Sequence, residues 1–133
     1  MTSQFPGAVP EIPVSDLAAA VAYYEKNLGF TVDWIELELG LAGISRGDCR
    51  LFLANDAFRR ERGNVGPVLT WLNLDGRHAV DALYRAWSAS SAKLISIPES
   101  KPWGLHEFTA ADLDGNLFRV FYDFATPERA EQA

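Results

Sequence analysis

Apolar residues recur at helical spacing in a segment near the start of the chain, "SDLAAAVAYYEKNLG" (residues 15–29). Ser15 and Asp16 are suitable N-caps, because a short polar side chain can accept a hydrogen bond from a backbone N–H of the first turn. Gly29 follows the last apolar residue and is a typical C-terminal stop. The pattern predicts a helix with one apolar face. The residues of that face are Leu17, Val21, Tyr24 and Leu28.

A second helix is predicted from about Arg77 to Ser90, where apolar side chains again recur every three or four residues. Its N-terminal part contains His78. Its apolar face consists of Val80, Leu83, Tyr84 and Trp87. A tryptophan on such a face is usually a core residue.

Stretches with strand character surround both helices. The tripeptides "RGD" (46–48) and "DGN" (114–116) are typical of tight hairpin turns. The pattern predicts the order βαβββ, followed by the same order again. The predicted strands cover residues 8–14, 29–37, 39–46, 49–55, 67–74, 92–98, 104–111 and 117–123.

The two halves of the chain also align with each other. At an offset of sixty positions, Val14 matches Leu74 and Tyr24 matches Tyr84. The second half contains a longer insertion that includes "SKPWG". Matches in the same order and spacing indicate a duplicated unit, and an extra loop on such a scaffold is a candidate functional segment.

The segments that begin and end the repeated unit, "PVSDLAAAVAYYEKNLGF" and "DLDGNLFRV", resemble the vicinal oxygen chelate superfamily of glyoxalases and dioxygenases. The stretches "LTWLNLDG" and "KPWGLHEFTAADLDGN" look most similar to bleomycin-resistance proteins. The resemblance covers roughly residues 8–123. It implies an α+β fold in which two βαβββ modules form a cupped mixed sheet with the helices on its outer face.

The length of 133 residues is that of one domain. We therefore expect a single domain at residues 8–124 between two short tails. The expected N-terminal tail covers residues 1–7, the modules about 8–55 and 67–124, and the C-terminal tail 125–133.

The net charge of −6 argues against a nucleic-acid partner, which needs a basic face. It suits a cationic ligand, although a charge that only favours solubility explains it equally well. No apolar run approaches the roughly 18 residues of a membrane span, and the N-terminal segment does not read as a signal peptide. We expect a cytoplasmic protein with neither a nucleic-acid nor a membrane partner.

The resemblance also locates the positions at which metal enzymes of the superfamily carry their ligands. Here these positions hold three aliphatic residues and one arginine, none of which binds a divalent ion. They are Val9, Leu51, Leu69 and Arg119. Cys49 is the sole cysteine, which excludes a cysteine cluster. We expect neither a metal nor another cofactor.

Two groups remain candidates for other chemistry. His106 has no obvious co-ligands, so a hydrogen-bonded structural role is the preferred interpretation. Glu11, on the inward face of the first strand, could act as a general base if burial raised its pKa. It could equally bind a ligand or pair with Arg119.

Tryptophans offer a different chemistry. Trp34 and Trp71 lie on strands, and Trp71 shares its strand face with Asn73. Trp103 lies in the loop "ESKPWG", where proline and glycine make burial for packing alone improbable. Such rings can bind a flat or cationic ligand by stacking and cation–π attraction.

Acidic residues accompany one of these rings. Asp33 precedes Trp34, and Glu36 and Glu38 follow it, which would make the rim of a pocket negative. Regular alternation sends Asp33 and Trp34 to opposite faces of a strand. Both can line one pocket only if the strand bends or a subunit boundary intervenes.

The resemblance implies a ligand crevice between two subunits, with Asp33, Trp34, Trp71 and Trp103 contributing. It further implies a homodimer that exchanges its N-terminal strand, with Pro10 near the crossover. The residues support an edge or exchanged strand independently, because Pro10 and Pro13 each remove a ladder donor.

Three classes of function stay open. The first is a metal-free, non-enzymatic protein that sequesters a cationic, partly aromatic antibiotic of the bleomycin type. The second is a binding protein of the same fold for another flat metabolite. The third is an enzyme of the superfamily, such as a lyase, isomerase or dioxygenase, with Glu11 as the candidate base of a metal-free reaction.

Overall fold

The computed structural model describes residues 5–60 and 66–125. Residues 1–4 of the expected N-terminal tail and residues 126–133 of the C-terminal tail lie outside the described residues. The chain divides into two compact units, Met1–Gly66 and Pro67–Ala133. In the described residues, each unit contains a mixed sheet and one helix, which confirms the predicted α+β fold.

The first unit has the predicted order βαβββ. Its sheet has the strand order β1-β4-β3-β2, with β1 parallel to β4 and the other pairs antiparallel. The prolines correctly predict an edge position for β1, which here pairs with β4 of its own chain. The elements are β1 (Glu11–Pro13), α1 (Leu17–Lys26), β2 (Thr31–Glu36), β3 (Leu41–Arg46) and β4 (Cys49–Ala54).

Helix α1 begins and ends close to the predicted residues. Asp16 is the N-cap, and its carboxylate accepts a hydrogen bond from the backbone N–H of Ala19 at 3.0 Å. Asn27 is the C-cap, and Gly29 follows in the left-handed region at a φ of 77°. The predicted apolar face of α1 is buried.

Within residues 66–125, the second unit has one more strand than predicted. Its main sheet has the order β5-β9-β8-β6, and β7 also pairs with β8. The elements are β5 (Leu69–Asn73), α2 (Arg77–Ala89), β6 (Lys93–Leu94), β7 (Glu99–Ser100), β8 (Leu105–Ala111) and β9 (Leu117–Asp123).

The single strand predicted at 92–98 is therefore wrong, because β6 and β7 are separate. The backbone N–H groups of Ile95 and Ser96 both donate to the carbonyl of Thr109, at 2.8 and 3.3 Å. This shared acceptor breaks the regular ladder. Pro98 then has no N–H to donate, and pairing with β8 resumes only at Glu99.

Each unit has its own buried core between helix and sheet. In the second unit, the ring of Phe108 on β8 packs edge-on against Tyr84 and Trp87 of α2, with centroid distances of 5.4 and 5.9 Å. Phe108 is fully buried and Trp87 is 2% exposed. Aromatic pairs in this geometry add to the stabilisation from buried area. Trp87 is thus a core residue, as predicted.

The turn between β8 and β9 is held by buried polar side chains. Asp112 and Asn116 are each 1% exposed. The carboxylate of Asp112 accepts hydrogen bonds from the backbone N–H groups of Asp114 and Asn116 at 2.8 and 2.9 Å. Gly115 occupies the left-handed region at a φ of 83°, as the predicted turn requires.

We call the sheet face that the unit's own helix does not cover its front face. In β4, Leu51 and Leu53 are buried on the helix side, whereas Arg50 and Phe52 alternate with them onto the front face. Within the described residues, no helix is long and apolar enough to cross a membrane.

Candidate functional site

An aromatic surface lies on the front face of the first unit. Trp34 is opposite Gly43, which is opposite Phe52 on the next strand. The rings of Trp34 and Phe52 meet edge-on, with centroids 5.2 Å apart. A Cβ atom on Gly43 would come within 2.5 Å of the Trp34 indole. The missing side chain of Gly43 is therefore what lets this indole lie across the sheet.

A β-bulge brings Asp33 to the same face as Trp34. The pairing of β2 with β3 shifts between Val32 and Trp34, so that Asp33 is an extra residue. Its carboxylate accepts a hydrogen bond from the Ser45 hydroxyl at 3.1 Å, and Ser45 alternates with buried Ile44 onto the front face. Regular alternation would put Asp33 and Trp34 on opposite faces, and the β-bulge is the irregularity that lets both line one surface.

Glu11 has a partner within its own unit. It lies opposite Phe52 in the parallel pair β1–β4, and its carboxylate forms an ion pair with Arg59. The side chains of Glu11 and Arg59 are 31% and 12% exposed. Arg59, and not Arg119, is thus the ion-pair partner of Glu11.

A second aromatic surface lies on the front face of the second unit. Trp71 of β5 is directly opposite Arg119 of β9. The guanidinium carbon of Arg119 lies 5.0 Å from the centroid of the Trp71 ring. The ring of Phe121 also meets the Trp71 ring edge-on, with centroids 5.4 Å apart. Trp71 is 45% exposed, so part of the indole is available to a ligand.

Glu107 connects Trp103 to this surface. One carboxylate oxygen of Glu107 accepts a hydrogen bond from the Trp103 indole N–H at 3.1 Å. The other lies 3.9 Å from Nε of Arg119. Glu107 is 6% exposed, whereas Trp103 is 56% exposed. A buried carboxylate therefore fixes an otherwise exposed indole near Arg119.

His106 lies on the opposite side of β8, towards α2. Its Nε2 is 2.8 Å from the carboxylate of Asp81, and its Nδ1 is 2.8 Å from the hydroxyl of Ser100. Both ring nitrogens are thus hydrogen-bonded, as predicted. The order of these groups resembles a hydrolase triad, but the serine faces Nδ1 and the ring is on the helix side. We interpret these hydrogen-bonded side chains as a structural link between α2, β7 and β8.

One of the metal-equivalent positions was assigned wrongly. The strand register pairs Glu11 with Phe52 and Trp71 with Arg119. The offset of sixty positions matches Glu11 with Trp71. The residue of the first unit that corresponds to Arg119 is therefore Phe52 and not Leu51. Phenylalanine cannot bind a metal either. Leu51 instead points into the core and is 1% exposed.

Other reactive groups offer little chemistry. Among residues 5–60 and 66–125, no three His, Cys, Asp or Glu side chains come together in a way that could hold a metal ion. Burial raises the pKa of the Cys49 thiol, which disfavours the nucleophilic thiolate at neutral pH. His78 lies near the start of α2, as predicted, and is exposed.

The structure thus places the predicted site residues in two groups, one on each front face. Glu11, Asp33 and Trp34 belong to the first unit. Asn73, Trp71, Trp103 and Arg119 belong to the second. The residues that the sequence analysis missed are Phe52, Arg59, Glu107 and Phe121. Only Glu107 left a signal, as the one acidic residue of β8.

The sequence matches the family model described as the Glyoxalase/Bleomycin resistance protein/Dioxygenase superfamily over residues 8–120. The chain belongs to this superfamily. A comparison with curated proteins gives no significant match. The family includes both enzymes and binding proteins, so membership alone leaves the activity open.

Solved structures of the superfamily share the fold. A glyoxalase/bleomycin resistance protein/dioxygenase from Nocardioides has a TM-score of 0.74 at 21% identity, covering 92% of this chain and 87% of that chain. The bleomycin-binding protein from Streptomyces verticillus, in complex with copper(II)-bleomycin, has a TM-score of 0.64 at 26% identity, with coverages of 91% and 97%. A lactoylglutathione lyase from Agrobacterium tumefaciens has a TM-score of 0.69 at 23% identity, with coverages of 88% and 94%.

Proposed function

We propose that this superfamily member is a metal-free small-molecule binding protein that sequesters a bleomycin-type antibiotic and so confers resistance. The observation that carries the proposal is the pair of exposed indoles, Trp71 and Trp103, held on one front face through Arg119 and Glu107. Similarity to a bleomycin-binding protein at 26% identity supports the choice of ligand.

The tryptophans support a flat, aromatic ligand. Trp71 and Trp103 are 45% and 56% exposed, although each is tied to a neighbouring side chain. Large apolar rings that stay exposed often mark a binding surface. Because these indoles are already positioned, a ligand that stacks on them loses less affinity to side-chain ordering.

Acidic side chains support a cationic part of the ligand. Asp33 and Glu36 are exposed beside Trp34 on the first front face. The net charge of −6 adds a long-range attraction for cations. A ring next to carboxylates is a suitable surface for a charged amine, which gains from both cation–π and ionic attraction.

A titration with metal-free bleomycin tests the proposal directly. We expect tryptophan emission to be quenched with saturation near one ligand per site, because the exposed indoles would stack against the ligand. Absence of a response up to high micromolar ligand would exclude bleomycin and favour another flat metabolite. Turnover of a glyoxalase or dioxygenase substrate that Glu11→Gln abolishes would favour an enzyme instead. Glu11 has less support as a base, since Arg59 holds it in an ion pair.

A homodimer with exchanged N-terminal strands is part of the proposal, because the resemblance to bleomycin-resistance proteins implies a ligand crevice between subunits. We expect a dimer by light scattering at micromolar concentration. Pro10 is exposed next to β1, and its carbonyl accepts a hydrogen bond from the N–H of Phe52 at 2.9 Å. Pro10→Gly should loosen the dimer before it alters the circular dichroism spectrum, because it removes the constraint on φ at the crossover. A monomer in the unaltered protein, or equal dimer stability in the variant, would contradict this model.

A further inference from the structure

We propose that the guanidinium of Arg119 donates hydrogen bonds to the ligand. The ligand then carries a carboxylate or similar planar oxygen group next to the ring that stacks on Trp71. The inference rests on the proposed function, since it takes the front face of the second unit as the binding surface. The inference gives the ligand a hydrogen-bond-accepting group in addition to its cationic part. The ligand class is a flat aromatic compound with an attached carboxylate or carbonyl, whatever charge the rest of the molecule carries.

Within the described residues, the guanidinium of Arg119 is hydrogen-bonded only through its Nε atom. Its Nε donates to the hydroxyl of Thr109 at 3.3 Å and lies 3.9 Å from Glu107. Within the described residues, its two terminal nitrogens make no hydrogen bond. The side chain is 33% exposed. The two terminal NH₂ groups are therefore available to a ligand, and their fork matches the two oxygens of a carboxylate.

Trp71 and Thr109 fix the direction of this fork. The guanidinium carbon lies 5.0 Å from the Trp71 centroid, a distance typical of cation–π contact. Because Nε is anchored and the group is planar, the terminal nitrogens are pre-oriented. A ligand carboxylate can then bind without much further loss of side-chain freedom.

The charge of Glu107 does not satisfy Arg119 completely. The separation of 3.9 Å between Nε and the carboxylate oxygen is too long for a hydrogen bond. The other oxygen of Glu107 already accepts from the Trp103 indole. Glu107 therefore lowers the local positive charge but leaves the hydrogen-bonding capacity of the terminal nitrogens unused.

Asn73 gives the surface a second polar group. It lies two residues from Trp71 on the same face of β5 and is exposed. Its side-chain amide makes no hydrogen bond within residues 5–60 and 66–125. An aromatic acid stacked on Trp71 thus has a cationic fork at one position and an amide at another.

Three matched probes test the inference: 2-naphthoate, 2-naphthamide and 2-naphthylmethylammonium. They share the ring and differ in the attached group. By calorimetry on the full chain, we expect naphthoate to bind most tightly, naphthamide less tightly and the ammonium probe least. Added salt should weaken naphthoate binding most.

Variants of Arg119 identify the source of this order. Arg119→Gln should lower naphthoate affinity by roughly 10- to 100-fold, the range for losing a charge-assisted hydrogen bond, and change the naphthamide affinity much less. Arg119→Lys keeps the charge but lacks the fork, so it should recover only part of the loss. It also keeps a cation near Glu107, which protects the test if Arg119→Gln is poorly folded by circular dichroism.

Several outcomes would overturn the inference. They are equal binding of all three probes, no naphthoate binding at millimolar concentration, and the same probe order in the Arg119 variants. Bleomycin binding with any of these results would leave the proposed function standing and remove the role of Arg119. Naphthoate binding that needs Arg119, without bleomycin binding, would support the inference and exclude the antibiotic.

Discussion

Replacing Trp103 by alanine is expected to weaken ligand binding by about 1–3 kcal/mol, the range for an aromatic or cation–π contact together with its buried area. The indole is 56% exposed and is held by its N–H bond to Glu107. Its removal takes away a stacking surface that is already positioned. Calorimetric titration of both proteins with the same ligand measures the loss.

Two further variants separate the possible causes. Trp103→Phe keeps an aromatic ring but cannot donate to Glu107, so it should retain part of the affinity if stacking matters most. His106→Gln should leave affinity nearly unchanged, because His106 bonds to Asp81 and Ser100 on the helix side of β8. Normal binding by Trp103→Ala together with a large loss in His106→Gln would contradict the assigned roles.

Replacing Asn116 by alanine is expected to destabilise the fold by about 2–4 kcal/mol, because buried polar groups would lose their partners. The Asn116 amide oxygen accepts from the backbone N–H of Val68 at 2.9 Å, and its NH₂ group donates to Asp112 at 2.8 Å. Asn116 and Asp112 are each only 1% exposed. Water therefore cannot readily replace the lost bonds. Urea unfolding of both proteins checks the size of the effect.

Leu113→Ala provides a control in the same turn. Leu113 is 56% exposed, and a surface substitution of this kind usually changes stability by less than about 0.5 kcal/mol. An Asn116→Ala variant as stable as Leu113→Ala would show that the buried hydrogen bonds at this turn contribute little.

The sequence predicted those parts of the fold that depend on local interactions. The N-cap at Asp16, the spacing of the apolar face of α1 and the glycine turn at Gly115 each involve residues a few positions apart. Pro98 was a local sign that the strand predicted at 92–98 is divided, but the position of the break could not be read locally. It depends on two N–H groups that share the distant carbonyl of Thr109.

The candidate site was predicted in its residue types and less well in its connections. Trp71 and Arg119 were both named, but their contact follows from the parallel register of β5 and β9. Sequence alternation alone cannot set a register between strands so far apart in the chain. Glu107 was missed for the same reason, because its role depends on partners from a loop and from another strand.

The bulge at Asp33 has a consequence for how this segment can change during evolution. Deleting Asp33 would join Val32 directly to Trp34, and their present partners Ile44 and Gly43 are also adjacent. Regular alternation would then keep Val32 on the helix side and Trp34 on the front face. A relative with one residue fewer at this point would retain the indole and its register while losing the carboxylate. Sequence alignments of such relatives should place the gap at Asp33, so that the tryptophans stay matched.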